Sequence, residues 1–230
     1  MKRVPRFMHK TEAILFDLDG TLIDSAPDLA AAMNTTMKEL GRPPYDEATI
    51  RTWVGNGATT LIGRALSANR RIDPSLDKRV WNEALSLFMD RYRRRICDKT
   101  ALYPDVEEVL RDLKDRGYKM GVVTNKPSEF VAPILEKLGI DAFFLTVFGG
   151  DDLPVKKPDP LPLVAAMERL GATPDTTVMV GDSQNDIIAA KRAGVSAIGV
   201  TWGYNYGEDI AASGPDAVID DFKALLDLLR

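Results

Sequence analysis

A chain of 230 residues, 45% hydrophobic and 28% charged, has the make-up of an ordinary globular protein, large enough to bury roughly 70% of its unfolded surface. Thirty-four acids against thirty bases leave a net charge of −4, which gives no global attraction to nucleic acid or to an anionic membrane. With one histidine, His9, and one cysteine, Cys97, triads, Cys/His dyads and zinc sites are excluded, so any chemistry falls to carboxylates, hydroxyls, lysines or arginines.

The basic opening stretch is followed by an apolar run that Asp17 cuts short, too brief for a signal-peptide core. No segment reaches the roughly 18 uncharged apolar residues of a membrane-spanning helix. A lone cysteine cannot form an internal disulfide and suits a reducing compartment, so the expected location is cytoplasmic. Residues 13–18 read as a first strand. From 26 to 99 the pattern is helical, with four helices and no strand. Ser25 with Pro27 predicts one helix cap and Asp46 a second, while Pro74 opens a long segment to about Arg95.

The second half alternates. Short β-rich runs lie at 120–124, 144–148, 177–180, 195–200 and 217–219, the first four each after a segment with helical spacing, at 105–116, 130–138, 162–170 and 185–193, and glycines 117, 139, 171 and 194 stop those helices. Alternation of this kind predicts an α/β fold, a Rossmann-like parallel sheet whose first strand is separated from its mates by an inserted all-helical cap. The expected division is a core of residues 1–24 and 100–230 with a cap of 25–99, joined by linkers near Asp24 and Pro104.

Four polar clusters fall at the carboxyl ends of predicted strands, where open parallel sheets place their ligands. Asp17 and Asp19, two apart in extended chain, share a face and aim at one spot, and Gly20 permits the turn that follows. Thr124-Asn125-Lys126 closes the next strand with a hydroxyl and an amide. Lys156-Lys157-Pro158 follows the third, and Gly181-Asp182-Ser183 with Asp186 follows the fourth. Taken singly, each reads equally well as a turn, a helix cap or a solvated loop. Taken together, Asp17, Asp19 and Asp182 at one sheet edge repel unless protonated or bridged by a cation, and all-oxygen ligation favours Mg²⁺. A metal, hydroxyl, amide and lysine around one point make a phosphoryl clamp.

In that order the four clusters resemble the motifs of the haloacid dehalogenase superfamily of phosphatases, and the helical insert matches the position of that superfamily's cap. Gly149-Gly150-Asp151-Asp152 and Gly203-Tyr204-Asn205-Tyr206-Gly207-Glu208 further resemble the bacterial branch that hydrolyses 2-phosphoglycolate. The resemblance implies Asp17 as a nucleophile that becomes an aspartyl-phosphate and Asp19 as the general acid and base. It implies Mg²⁺ held by the Asp17 carboxylate, the Asp19 main-chain carbonyl and Asp182, with Asp186 behind them. Thr124 and Asn125 would bind the phosphoryl group, and Lys157, chosen over Lys156 because it directly precedes Pro158, would balance its charge. In the cap, Gly55-Asn56-Gly57 before a helix predicts a turn able to hold a substrate carboxylate, with Arg64 as a charge partner or as a merely solvated side chain. The expected partner is a small phosphate ester, without nucleic acid or membrane, bound by a monomer or weak dimer. Another phosphatase or a β-phosphoglucomutase-like enzyme of the same superfamily is the alternative, and a receiver-type phospho-accepting domain is disfavoured by Asp19 and by the cap.

Overall fold

The computed structural model describes residues 11–229, so His9 and the basic opening stretch lie outside the described residues. In chain order its elements begin with β1 (Ala13–Phe16), β2 (Ile23–Asp24), α1 (Ala26–Glu39), α2 (Glu47–Arg51), α3 (Ala58–Ser67), α4 (Lys78–Arg94) and β3 (Ala101–Leu102). They continue with α5 (Val106–Asp115), β4 (Lys119–Val123), α6 (Ser128–Lys137), β5 (Thr146–Phe148), α7 (Leu161–Leu170), β6 (Thr177–Gly181), α8 (Gln184–Ala193), β7 (Ser196–Val200), β8 (Ala217–Ile219) and α9 (Ala224–Leu228). Six strands form one sheet in the order β5-β4-β1-β6-β7-β8, every pairing parallel. None of the described helices is long and apolar enough to cross a membrane.

The sheet is parallel because its strands, apart from β8, are joined through helices, and its central strands are mostly apolar because both faces are covered. In β1, Ile14 and Phe16 join an apolar cluster with α5 and α6, while Ala13 and Leu15 face a second cluster built on α7 and α8. The first of these clusters runs on without a break into the helical insert, taking in Leu29, Met33, Met37, Ile50, Ile62, Phe88 and Tyr92. Within the insert, α1 packs on α4 and α2, and α3 packs on α4.

Three local expectations are corrected. The first strand ends at Phe16, not residue 18, because the Leu18 carbonyl turns to accept from the amides of Thr21, Leu22 and Ile23. Ser25 does occupy the position before α1, but its hydroxyl donates to Asp19 instead of capping the helix. The long helix starts at Lys78 rather than near Pro74, since the Asp77 carboxylate accepts from the Arg79 amide and supplies the cap. Asp46 caps α2 as expected, accepting from Thr49 at 2.6 Å. The two linkers also pair with each other as a small antiparallel ribbon, Ile23 opposite Leu102 and Asp24 opposite Ala101. Buried Asp28 reinforces that junction by accepting from the Lys99 amide at 2.9 Å and from the Thr100 amide and hydroxyl at 2.8 and 2.7 Å.

Candidate active site

Because β1 lies between β4 and β6 in the sheet, the loops leaving these three strands converge, and the Asp17 carboxylate sits at their centre. Carboxylate oxygens of Asp17, Asp182 and Asp186 lie within 4.8 Å of one another, all three buried. Lys157, reaching in from the loop between β5 and α7, places its Nζ 2.9 Å from Asp17 Oδ1 and 2.6 Å from Asp186 Oδ1, and also donates to the Val123 carbonyl. Its neighbour Lys156 turns away and donates to the Asn56 carbonyl at 2.7 Å.

Each acid is held differently. Asp186 is spent on structure as well as on Lys157, since its Oδ2 accepts from the Ser183 amide at 3.0 Å and hydroxyl at 2.9 Å in a capping box at the start of α8. Asp182 accepts from the Thr21 hydroxyl at 3.1 Å and the Tyr204 amide at 2.7 Å. The main chain at Gly20 and Gly203 closes around it, and a Cβ at either glycine would overlap its carboxylate. Asp17 Oδ1 is buried and accepts no hydrogen bond, although the Lys157 ammonium stands beside it.

Burial pushes the Asp17 carboxyl up to about 6, with Lys157 pulling it down and Asp186 pushing it further up. Burial, then Asp17 and Asp186, push Asp182 up to about 8. With Asp19, four carboxylates face two ammoniums, Lys157 and Lys126. A divalent cation is the charge that balances this group, and an all-oxygen donor set suits a hard one. The residues therefore fit a metal centre.

A pH dependence follows for the metal-free protein. Between the ordinary carboxyl value near 4 and the folded values of about 6 and about 8, the folded state keeps protons that the unfolded chain has lost. Unfolding then releases protons, so stability is greatest below that window and falls as pH rises through it. In chelator, the melting temperature is expected to drop between pH 5 and pH 8 by more than in a variant with Asp182 replaced by asparagine. Added divalent cation should raise it more at pH 8 than at pH 5, because binding must displace those protons. A flat pH profile in chelator would contradict this electrostatic reading.

Asp19 faces the same space but belongs to a second group. The Ser25 hydroxyl donates to it, and the Lys126 Nζ lies 3.0 and 3.1 Å from its two oxygens and 2.7 Å from Tyr92 Oη on α4. Burial pushes the Lys126 ammonium toward losing its proton, but Asp19 and Tyr92 outweigh that and hold it charged. Thr124 and Asn125 are buried at the end of β4. Asn125 donates to the Gly55 and Lys157 carbonyls, both at 2.9 Å, and its own carbonyl oxygen is buried without a partner.

The turn Gly55-Asn56-Gly57 of the insert is seated directly on this constellation. Gly55 O accepts from Asn125 at 2.9 Å and from Asn185 at 3.1 Å, while Tyr206 Oη donates to Asn56 Oδ1 at 2.7 Å and accepts from Asn185 at 2.7 Å. Gly57 has φ +83°, and a Cβ there would stand 2.8 Å from the Asn125 carbonyl oxygen, so only glycine brings this turn down onto the sheet. Arg64 lies behind the turn. Its guanidinium donates to the carbonyls of Trp53 and Arg70 and to Asn56 Oδ1, and it covers the Tyr206 ring at 5.2 Å. Neither of the two sequence readings of Arg64, charge partner of a ligand or solvated side chain, describes that placement, which holds the turn from behind.

Between turn and sheet lies a cavity of about 40 Å³ whose polar lining is Asp17, Asp19, Tyr92, Thr124, Asn125 and Lys126, with Leu29, Leu61, Phe88 and Phe130 among its apolar walls. Asp17, Asp19, Thr124 and Asn125 thus meet in one cavity, Lys157 and Asp182 adjoin Asp17, and Arg64 does not line it. Sequence reasoning passed over Lys126, Tyr92, Ser25, Asn185 and Tyr206. Lys126 was visible as the third residue of its cluster, whereas nothing distinguishes Tyr92 from an ordinary core position of an amphipathic helix.

A family model for haloacid dehalogenase-like hydrolases matches residues 14–200. The chain is 49% identical over 223 residues to a phosphoglycolate phosphatase of Colwellia psychrerythraea, covering 97% of this chain and 99% of that protein. It is also 49% identical over 214 residues to a phosphoglycolate phosphatase of Pseudomonas putida, covering 93% and 78%. Among solved structures, a predicted phosphoglycolate phosphatase from Haemophilus somnus superposes with a TM-score of 0.89 at 40% identity, covering 96% and 99% of the two chains. CbbY from Rhodobacter sphaeroides in complex with phosphate has a TM-score of 0.78 at 27% identity, covering 95% and 99%.

Proposed function

Because the chain belongs to the haloacid dehalogenase-like hydrolase family, we propose that it is a magnesium-dependent phosphatase that converts 2-phosphoglycolate to glycolate and phosphate through an aspartyl-phosphate. The observation that carries this reading is the position of Asp17, a buried carboxylate with the Lys157 ammonium at 2.9 Å, the Asp182 and Asp186 oxygens within 4.8 Å, and Asp19 in the same cavity.

Asp17, Asp182 and the main-chain carbonyl of Asp19 would hold Mg²⁺, with Asp186 supporting them through Lys157. When bound, the ion supplies charge neutralisation for the phosphoryl oxygens and for the crowded carboxylates. Lys157 keeps Asp17 ionised and aligned, so that one carboxylate oxygen attacks phosphorus while the ester P–O bond breaks. Asp19 gives its proton to the departing glycolate oxygen. In the second step Asp19 takes a proton from water, which attacks the phosphorus of the aspartyl-phosphate, frees Asp17 and releases inorganic phosphate. Thr124 lines the cavity beside Asp17 and offers its hydroxyl to the phosphoryl oxygens, and Asn125, whose amide N–H groups are donated to the Gly55 and Lys157 carbonyls, has one to offer them only when Gly55 lifts away.

Residues 25–99 act as a cap over a core of 1–24 and 100–230. A cavity of about 40 Å³ holds about three water molecules, so a phosphate ester enters only when the turn Gly55-Asn56-Gly57 lifts from Asn125 and Asn185. Closure then excludes water while Asp19 protonates the leaving group. The β2–β3 ribbon, where both linkers cross, is the place for the hinge.

A panel of 2-phosphoglycolate, hexose phosphates and pyrophosphate, each with Mg²⁺, tests the reading. The expected result is the highest kcat/KM on 2-phosphoglycolate. Faster turnover of a hexose phosphate would move the assignment to another enzyme of the family, and absence of phosphate release from every ester would overturn it.

A further inference from the structure

Lys126 is the only cation among the described residues that line the cavity, and neither the nucleophile nor the metal centre uses it. It is 4% exposed, an unusual position for a lysine unless its charge has a fixed task. Its Nζ is held at three points, 3.0 and 3.1 Å from the two Asp19 oxygens and 2.7 Å from Tyr92 Oη, and it lies against the Tyr92 ring at 4.8 Å from the centroid. Core and insert both take part, since Tyr92 belongs to α4 and Asp19 to the loop after β1.

We propose that Lys126, positioned by Tyr92, binds the carboxylate of the substrate and so selects phosphate esters bearing an acid group beside the ester oxygen. This inference rests on the phosphatase reading above and names which substrate group meets which side chain. The leaving oxygen must lie within hydrogen-bond reach of Asp19. In an ester of the form phosphate–O–CH₂–COO⁻ the nearer carboxylate oxygen lies roughly 3 Å from that bridging oxygen by ordinary covalent geometry. The Lys126 Nζ stands the same distance from the Asp19 oxygens, so one small molecule can present its leaving oxygen to Asp19 and its carboxylate to Lys126. An ammonium has three donors, and the two Asp19 oxygens and Tyr92 Oη take all three contacts, so the ligand carboxylate takes the place of one Asp19 oxygen on Nζ while Tyr92 keeps the ammonium in place.

The other cations near the turn are committed elsewhere. The Arg64 guanidinium serves Trp53, Arg70 and Asn56, and Lys156 serves the Asn56 carbonyl. Beyond Lys126 the walls are Leu29, Leu61, Phe88 and Phe130, which leave a long or heavily hydroxylated substrate nothing to bond. Once the turn has lifted, a small substrate ending in a carboxylate finds a charge partner here, whereas the hydroxyls of a sugar ring find none on these apolar walls.

The test compares 2-phosphoglycolate with 2-hydroxyethyl phosphate, which replaces the carboxylate by a neutral alcohol and keeps the same ester. Wild-type protein is expected to favour the acid by about a hundredfold in kcat/KM, the scale of one buried charged contact. In Lys126→Met both activities fall, because Asp19 loses a neighbour, but the preference itself should shrink by at least about tenfold. Lys126→Gln, which keeps a donor toward Asp19 and Tyr92 without the charge, should lose the preference in the same way and covers the case in which the methionine variant does not fold. Parity between the two esters in the wild type would overturn the inference. So would an equal loss on both in the variants, which would confine Lys126 to positioning Asp19. If wild-type protein hydrolyses neither ester, the assignment of 2-phosphoglycolate as substrate falls, and this inference falls with it.

Discussion

Replacing Asp17 with asparagine is expected to lower kcat by about four orders of magnitude or more, because no neighbouring group can replace the attacking oxygen. The remaining acids are already committed. Asp186 accepts from Ser183 and Lys157, and Asp182 accepts from Thr21 and Tyr204. Loss of activity should come without loss of fold. Asp17 is raised to about 6 by burial in the metal-free protein, so its ionised form is a burden on the fold at neutral pH. An asparagine at this position keeps the shape and removes that burden, and the variant should melt in chelator no lower than the wild type. This is the usual opposition between an active site's crowded charges and stability. Steady-state kinetics with a thermal melt in chelator checks both halves. Activity within tenfold of the wild type would exclude Asp17 as the nucleophile.

Substituting Asp19 with asparagine is the second large effect, an expected loss of about 10² to 10⁴ in kcat. Asparagine preserves the contact with the Ser25 hydroxyl and the neighbourhood of Lys126 but cannot give or take the proton. The loss should depend on the leaving group. With p-nitrophenyl phosphate, whose leaving oxygen needs no proton, the first step should stay near its wild-type rate. The second step still requires a proton to be taken from water, so a phosphorylated protein should accumulate. Rapid-quench kinetics separates the two: a burst followed by slow release is expected, and equal slowing on alkyl and nitrophenyl esters would mean that Asp19 serves only to place its neighbours. The same residue separates hydrolysis from storage, since a phospho-accepting signalling domain does not need an acid at this position.

How legible these features were in the sequence depended on whether a signal was local. The parallel sheet was readable because its strands are short apolar runs, four of them preceded by glycine-stopped helices whose ends fall within two residues of Gly117, Gly139, Gly171 and Gly194. The first strand's early end was not, because Leu18 is as apolar as the strand before it and only its carbonyl, bonded to three later amides, reveals the turn. Lys157 was distinguished from Lys156 by the proline that follows it, and it does face Asp17 while Lys156 faces the insert. Arg64 shows where local reading fails. A basic residue in a helix after a glycine-flanked turn looks like a ligand for an anion, yet three carbonyl and amide oxygens collect its donors, two of them from residues six and eleven positions away. Tyr92 carried no signal at all: its hydroxyl matters only because α4 lies over β4's loop, a contact of 34 residues' separation.

The central claim is that Asp17 itself becomes phosphorylated. Acid quench of a single turnover with protein in excess, followed by borohydride reduction of the acyl phosphate and mass spectrometry of the peptides, reads it directly. Conversion of Asp17 to homoserine, absent when the substrate is omitted, is the predicted result. A completed turnover that leaves Asp17 unmodified at every quench time, or modification at another carboxylate such as Asp19 or Asp182, would contradict the account.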